Sequence, residues 1–187
     1  VFDFLTGKRA KEGIVMQLHP DEPLIIEGIH ALNPMLLNDD IDRDKLFRVY
    51  VSALTTLNID DHNRIHTTDA RLLRRLVRDY ETRGASMEHT LSMWPSVRRG
   101  EEKWIFPYQE NADALFNTTL VYEVSVLKKY VYPLLQEVPK ESPCYAAARD
   151  ITKVLNYFLD ADGIEDEIPP TSILREFIGG CTFYRKD

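Results

Sequence analysis

Hydrophobic and polar positions separate most clearly over residues 69–83, where apolar side chains recur three and four residues apart. This spacing predicts an amphipathic helix, which Asp69 is suited to cap and which Gly84 is suited to end. The predicted core-facing side comprises Leu72, Leu73, Leu76, Val77 and Tyr80. Four arginines occupy the opposite side.

Shorter apolar runs predict a parallel sheet. Residues 24–26 are continuously apolar, which is typical of a strand buried on both faces, and Glu27 ends the run abruptly. Residues 46–52 and 115–121 predict two further strands, and a weaker alternation over residues 14–18 predicts another. Strands that alternate with helices are typical of an α/β fold.

Further helices follow from the same periodicity. We expect them over residues 87–93, where Pro95 would stop the helix, and over residues 122–138, 145–159 and 173–177. A boundary at residues 139–143 would divide the chain into residues 1–138 and a helical C-terminal extension over residues 143–187. The expected architecture is a parallel sheet flanked by helices, followed by this extension.

Composition narrows the function classes. With 187 residues, 44% of them hydrophobic, the chain can bury one good core. The net charge of -7 argues against binding to nucleic acid or to an anionic membrane. Cys144 and Cys181 are too few for a disulfide framework, and no apolar run approaches the roughly 20 residues that span a bilayer. We therefore expect a cytoplasmic protein.

The polar face of the helix at residues 69–83 is the strongest candidate for chemistry. Arg71, Arg74, Arg75 and Arg78 repel one another unless an anion lies against them. The planar guanidinium fork matches phosphate oxygens better than a lysine ammonium does. The pattern favours a phosphate site, with a solvated helix face as the alternative.

Glu27 is the second candidate. A carboxylate at the carboxyl end of a buried strand is costly unless it has a partner, and ligands of open α/β sheets bind at that edge. Glu27 either faces Mg²⁺, which prefers oxygen ligands, or bonds to the backbone or to a neighbouring arginine. Further along, Arg98 and Arg99 lie in a stretch rich in charge and aromatic rings. We interpret this stretch as a lid over a phosphate site, with RNA binding as a weaker alternative.

Three blocks in order carry a resemblance to a known family: FDFLTGKR, PLIIEGIHALNP, and DARLLRRLVRDYETRG continuing through MWPSVRRGEEKWIFPYQENAD. Over about residues 2–135 the chain resembles the uridine kinase and phosphoribulokinase family of P-loop kinases. More narrowly, it is similar to bacterial nucleoside kinases in which this domain follows domains related to threonyl-tRNA synthetase. The resemblance implies a P-loop kinase-like sheet, ATP as phosphate donor and Mg²⁺.

The resemblance also implies residue roles. Glu27 would hold the Mg²⁺ shell, Arg78 and Arg83 would contact the transferring phosphates, and Arg75 would lie near the acceptor. Phe2 would sit in the nucleoside pocket. The remaining arginines, which would serve the phosphates or the lid, are Arg71, Arg74, Arg98 and Arg99.

The chain also departs from the family pattern. Ala85 and Gly7 replace an arginine and a histidine of uridine kinases, and Met93 and Trp94 stand where those kinases have Gln and Tyr in the acceptor site. Several contacts to a pyrimidine nucleoside are therefore absent. The acceptor is left open between a nucleoside and a sugar-like compound.

No run in the sequence matches G-x-x-x-x-G-K-[ST], the loop that cradles phosphates. We expect that loop, and the aspartate that acts as general base, to precede Val1. The chain would then be the C-terminal portion of a kinase domain and would be inactive alone. Its sheet would be incomplete, and the open edge of that sheet would be exposed or would pair with another chain, as in a homo-oligomer. The predicted function is ATP-dependent phosphoryl transfer to a hydroxyl; the alternative is a non-catalytic nucleotide-sensing or assembly module.

Overall fold

The computed structural model describes residues 2–3, 8–9, 13, 15–37, 41–55 and 57–183. Its strands are β1 (Phe2–Asp3), β2 (Lys8–Arg9), β3 (Val49–Ser52) and β4 (Ala114–Asn117). Its α-helices are α1 (Thr67–Arg83), α2 (Met87–Trp104), α3 (Glu123–Gln136), α4 (Tyr145–Leu155) and α5 (Arg175–Ile178). None of the helices in these ranges is long and apolar enough to cross a membrane.

A small parallel sheet organises the fold. β3 and β4 pair in parallel from Val49 opposite Ala114 to Ser52 opposite Asn117, and β1 pairs with β2 in the antiparallel sense. Just before the strands, the Asp113 carboxylate accepts hydrogen bonds from the backbone N–H and the guanidinium of Arg48. Helices flank the parallel sheet, so the α/β prediction is confirmed, although both strands are shorter than expected.

One hydrophobic core holds the helices together. α1 packs on α2, α3 and α5, and α4 packs on α3. The most deeply buried core residues include Ile65, Leu73, Leu76, Leu127, Val131, Leu155 and Leu174. Side chains from both sides of residues 139–143 therefore share one core. The division of the chain into two domains stays a prediction.

The strand predicted at residues 24–26 is absent. This segment is irregular, and Leu24, Ile25 and Ile26 are 46%, 90% and 66% exposed. The weaker prediction for residues 14–18 is also wrong over residues 15–18, which are irregular and exposed. An apolar run becomes a strand only where a neighbouring strand offers hydrogen bonds, and within the described ranges none pairs with either segment.

Pro95 does not stop α2, contrary to prediction. The proline removes one helical hydrogen bond, but the helix continues to Trp104. Buried side chains lie on both sides of Pro95, with Leu91 before it and Glu101 after it. Tertiary contacts on both sides therefore outweigh the local cost of the proline.

The bounds of α1 differ slightly from the expected ones. The helix begins at Thr67 after His66, so Asp69 lies in its first turn and does not cap it. Gly84 ends the helix in the left-handed conformation, as expected. Four of the five predicted core-facing residues are buried, whereas Tyr80 is 44% exposed. The α3 prediction is confirmed, while α4 ends at Leu155, four residues before the predicted end.

Candidate functional site

The arginine face of α1 forms one wall of a cavity of about 500 Å³. The other walls come from α2, β3, α5 and the residue that follows β4. Four arginines line it: Arg71, Arg74, Arg75 and Arg78. The helical periodicity explains this convergence, because positions three and four residues apart lie side by side on one face.

Two of these arginines are held by buried carboxylates from other helices. Arg71 donates a hydrogen bond to the Glu101 carboxylate of α2 at 2.5 Å, and Arg98 donates to the same carboxylate at 2.7 Å. Arg74 pairs with Glu123 of α3 and also donates to the carbonyl oxygen of Thr118 at 2.8 Å. The Glu101 and Glu123 side chains are only 3% and 1% exposed, so both pairs tie α1 to its neighbours.

A third buried carboxylate, Asp79, serves three arginines of α1. Its oxygens lie 3.1 Å from Nε of Arg75, 3.5 Å from Nε of Arg78 and 2.9 Å from Nη1 of Arg83. The terminal amino groups of Arg75 and Arg78 make no hydrogen bond to any described residue. Asp79 thus faces the Nε side of Arg75 and of Arg78 as an ion-pair partner, without accepting a hydrogen bond from either Nε, and leaves the outer fork of each guanidinium available to a ligand.

Charge is unbalanced around this cavity. Among the described residues, six arginines gather about three buried carboxylates, which leaves an excess of positive charge in a protein whose net charge is negative. Burial lowers the pKa of Arg78, and repulsion from Arg83 and Arg75 lowers it further, despite the attraction of Asp79. An anion in the cavity would relieve that repulsion.

Glu123 shows how strongly the cavity wall is desolvated. Burial raises the pKa of its carboxyl, and the charge and hydrogen bonds of Arg74 partly oppose that rise. Its Oε1 atom has no hydrogen-bond partner among the described residues, whereas Oε2 accepts from Arg74. Contact with Arg74 is therefore what makes burial of this carboxylate tolerable.

The cavity also has an apolar side. Val51, Trp94, Trp104 and Phe177 are among the residues that line it. A charged wall combined with aromatic and aliphatic side chains suits a ligand that carries a phosphate on an organic group.

The family model of the phosphoribulokinase / uridine kinase family matches residues 1–125, which include β1 to β4, α1 and α2. The chain belongs to this family. Relatives of the family are similar to it over about three fifths of its length. The uridine kinases of Staphylococcus epidermidis RP62A and of Chlamydia pneumoniae are each 31% identical, over 115 and 116 residues, or 61% and 62% of this chain.

The matched residues make up 46% of the S. epidermidis enzyme and 44% of the C. pneumoniae enzyme, so the chain spans less than half the length of these curated relatives. The uridine kinase of Staphylococcus carnosus gives the same picture, with 31% identity over 115 residues. No solved structure matches the chain.

The structure brings together most, but not all, of the residues that the sequence singled out for this family's chemistry. Trp94 lines the cavity with the four α1 arginines, while Arg83 and Arg98 are linked to it through Asp79 and Glu101. Met93 and Arg99 are exposed and do not line it. The side chain of Phe2 lies outside the described part of the chain, although its backbone belongs to β1.

Glu27 does not lie at the end of a strand, contrary to prediction. It is exposed and forms no ion pair with any described residue, and it does not line the cavity. Ile29 and His30, in the turn that begins at Gly28, do line it. The segment that carries Glu27 therefore reaches the cavity, but no contact joins the Glu27 carboxylate to the arginines.

Sequence reasoning missed the three buried carboxylates and the aromatic ring of Phe177. Asp79 left a local signal, because it stands four residues from both Arg75 and Arg83, the spacing of helical ion pairs. Glu101 left a local signal only for its pair with Arg98, three residues away, and Glu123 left none; the pairings of Glu101 with Arg71 and of Glu123 with Arg74 span 30 and 49 residues. Such pairings are decided by how the helices pack.

Proposed function

We propose that this chain is part of an ATP-dependent phosphotransferase that acts on a hydroxyl of a nucleoside or sugar-like acceptor. The observation that carries the proposal is the pair of uncommitted guanidinium forks of Arg75 and Arg78 beside a cavity with excess positive charge. Membership of the phosphoribulokinase / uridine kinase family supports the reaction class.

The residue roles follow from the chemistry of phosphoryl transfer. Such reactions depend mainly on positioning and on stabilising charge at the transferring group, which arginine forks do well. In this proposal Arg78 and Arg83 neutralise the transferring phosphate, and Arg75 lies near the acceptor. Arg71, Arg74, Arg98 and Arg99 support the phosphates or the lid.

The acceptor would lie against the apolar side of the cavity, where Trp94 is a candidate contact. Phe2 and Met93 stay proposed acceptor residues on the family resemblance alone. The proposed reaction is uridine kinase-like. Uridine itself is the first acceptor to test, because the curated relatives named above are uridine kinases.

Mg²⁺ and ATP belong to the proposal as well. Within the described ranges no group of three or more acidic, histidine or cysteine side chains is arranged to hold a metal. Mg²⁺ commonly binds through one or two carboxylates and phosphate oxygens, so a single carboxylate without an ion pair, such as Glu27, fits that donor set. When bound, the ion would neutralise charge on the phosphates.

Binding and turnover are separate expectations for this chain. Its sequence contains no Walker-type phosphate loop and it covers less than half of its curated relatives, so we propose that it binds phosphate but does not turn over alone. The two free cysteines suit a cytoplasmic location for the whole enzyme.

The test is a turnover assay of the full-length protein with ATP and a panel of nucleosides and sugars. Arg78→Ala should reduce turnover roughly a hundredfold, by analogy with the loss of other charge-stabilising donors. Arg149→Ala is the matched control, because Arg149 is an exposed arginine of α4 outside the cavity. Equal turnover of the Arg78→Ala variant and the wild type would contradict the assignment.

A second candidate is a non-catalytic module that senses a nucleotide. The observation that favours it is that Arg71, Arg74 and Arg98 are engaged by carboxylates of the same chain, which gives them a structural role without substrate. Calorimetry with ATP on the full-length protein distinguishes the two candidates. Binding of ATP with no turnover of any acceptor would favour the sensing module.

A further inference from the structure

Residues 173–180, here called the C-terminal turn, contain α5 and pack against α1. They lie beyond residues 1–125, where the family model matches. The segment that packs beside the arginine cavity is therefore not part of the region that the family model matches.

The C-terminal turn is held in a defined shape. The Arg175 guanidinium donates hydrogen bonds to the carbonyl oxygens of Glu165 and Ile168, both at 2.6 Å. Gly180 has φ +73°, and a Cβ atom there would lie 3.2 Å from Nη1 of Arg175. The left-handed backbone conformation thus favours glycine at this position, and a Cβ atom would also make a tight contact with the Arg175 side chain.

Phe177 brings this turn into the cavity wall. Its side chain is 7% exposed, and its ring centroid lies 5.7 Å from the guanidinium carbon of Arg74. Glu123 and Thr118 accept hydrogen bonds from that guanidinium, and the guanidinium carbon lies over the ring of Phe177. The hydrogen bonds and the cation–π attraction of the ring together hold the Arg74 side chain in place.

Glu176, the residue before Phe177, influences the charge of Arg78. It lines, together with Arg78, a second cavity of about 710 Å³ next to the first. The negative charge of Glu176 raises the pKa of Arg78 and so opposes part of the lowering by burial and by Arg83. Two adjacent residues of the C-terminal turn thus affect two arginines of the site: Phe177 contacts Arg74, and Glu176 affects the pKa of Arg78.

We propose that the C-terminal turn is part of the anion site, in which Phe177 is a positioning residue for Arg74 and Glu176 limits the anion affinity of Arg78. This inference rests on the proposed function, since it takes the cavity to be the phosphate site. It predicts opposite effects for neighbouring substitutions: loss of the Phe177 ring weakens anion binding, and loss of the Glu176 charge strengthens it.

The experiment is calorimetric titration of the 187-residue chain with inorganic pyrophosphate. Phe177→Leu keeps an apolar side chain but removes the ring, and should weaken binding about fivefold. Phe177→Tyr keeps the ring and should keep the wild-type affinity. Weaker binding by a Phe177→Leu variant whose thermal unfolding matches the wild type would not follow from loss of packing alone. Glu176→Gln should tighten binding about twofold, because exposed charges are screened. Glu167→Gln, an exposed carboxylate in the preceding 3₁₀ helix, should leave the affinity unchanged.

The outcomes separate this inference from the proposed function. Wild-type binding that neither Phe177→Leu nor Glu176→Gln alters would overturn the role of the turn and leave the phosphate site standing. Absence of pyrophosphate binding by the wild type would overturn both. Thermal unfolding of each variant identifies any loss of fold. If Phe177→Leu does not fold, the pyrophosphate affinity of Glu176→Gln decides the test, because Glu176 is exposed.

Discussion

The arginine face of α1 contains two groups of identical side chains in different surroundings. Arg71 and Arg74 are bound by carboxylates of α2 and α3, whereas the outer forks of Arg75 and Arg78 have no hydrogen bond within the described ranges. The first pair joins helices and lines the cavity with guanidiniums already bound to carboxylates, whereas the second pair has guanidinium forks available for direct hydrogen bonds to a ligand. A run of like charges on one helix can therefore serve stability at one position and binding one turn away.

The largest expected effect is on the pair that joins α1 to α3. Glu123→Ala leaves the guanidinium of Arg74, whose side chain is only 11% exposed, without its carboxylate. Loss of one partner of a buried ion pair costs about 3–5 kcal/mol in free energy of unfolding. Urea denaturation measures this loss.

The exposed pair of Lys153 and Asp150 in α4 supplies the control for that measurement. Lys153→Ala should change the free energy of unfolding very little, because both side chains are about 70% exposed. A stability loss for Glu123→Ala no larger than that of the control would contradict a structural role for the Arg74 pair.

The next largest effect is on anion binding by Arg75 and Arg78, whose terminal guanidinium groups make no hydrogen bond to any described residue. Arg78→Gln should weaken pyrophosphate binding by roughly tenfold to a hundredfold, the value of a charge-assisted hydrogen bond of about 1.5–3 kcal/mol. Its free energy of unfolding should change little, in contrast to Glu123→Ala. Calorimetry and urea denaturation of the same variant check both statements, and a stable variant with unaltered affinity would remove the distinction between the two groups.

Asp79 belongs to the second group, because its carboxylate lies beside Arg75, Arg78 and also Arg83. Asp79→Asn removes the charge that separates Arg75, Arg78 and Arg83, and should cost about 1–2 kcal/mol, since these arginines are partly exposed. Pyrophosphate supplies negative charge to the same cluster and should recover part of the loss. Thermal unfolding with and without pyrophosphate provides the measurement; equal shifts for variant and wild type would argue against the cluster as the anion site.

The smallest effect is a pH dependence of the free energy of unfolding, which arises from Asp69 in the first turn of α1. Burial raises the pKa of Asp69, and His66 and local hydrogen bonds lower it only in part. The Asp69 carboxyl therefore binds its proton more tightly in the folded state than in the unfolded state. The protonated carboxyl contributes to stability below the pKa that Asp69 has in the unfolded chain, and this contribution is lost as pH rises through the pKa that Asp69 has in the folded chain. Relative to Asp69→Asn, wild-type stability should decline as pH rises above about 4; a rise instead would show that Asp69, like Asp79, has an effective cationic partner.

Local sequence was sufficient to predict α1 and α3. Apolar spacing predicted which side of α1 is buried, and Gly84 marked its end because a left-handed residue is needed there. The arginines were found for the same reason, since residues three and four apart on a helix must share a face. The family resemblance singled out Met93 and Trp94 together, and of these two only Trp94 lines the cavity, so their acceptor role stays a prediction.

Long-range packing decided the rest. The apolar run at residues 24–26 has the composition of a strand but no partner strand within the described ranges, and α2 continues through Pro95 because both of its halves are packed. The sequence by itself determined that α1 carries a cationic face. Only the tertiary structure decided which of its arginines are neutralised and which lies over an aromatic ring, because Glu101, Glu123 and Phe177 reach that face from elements distant along the chain.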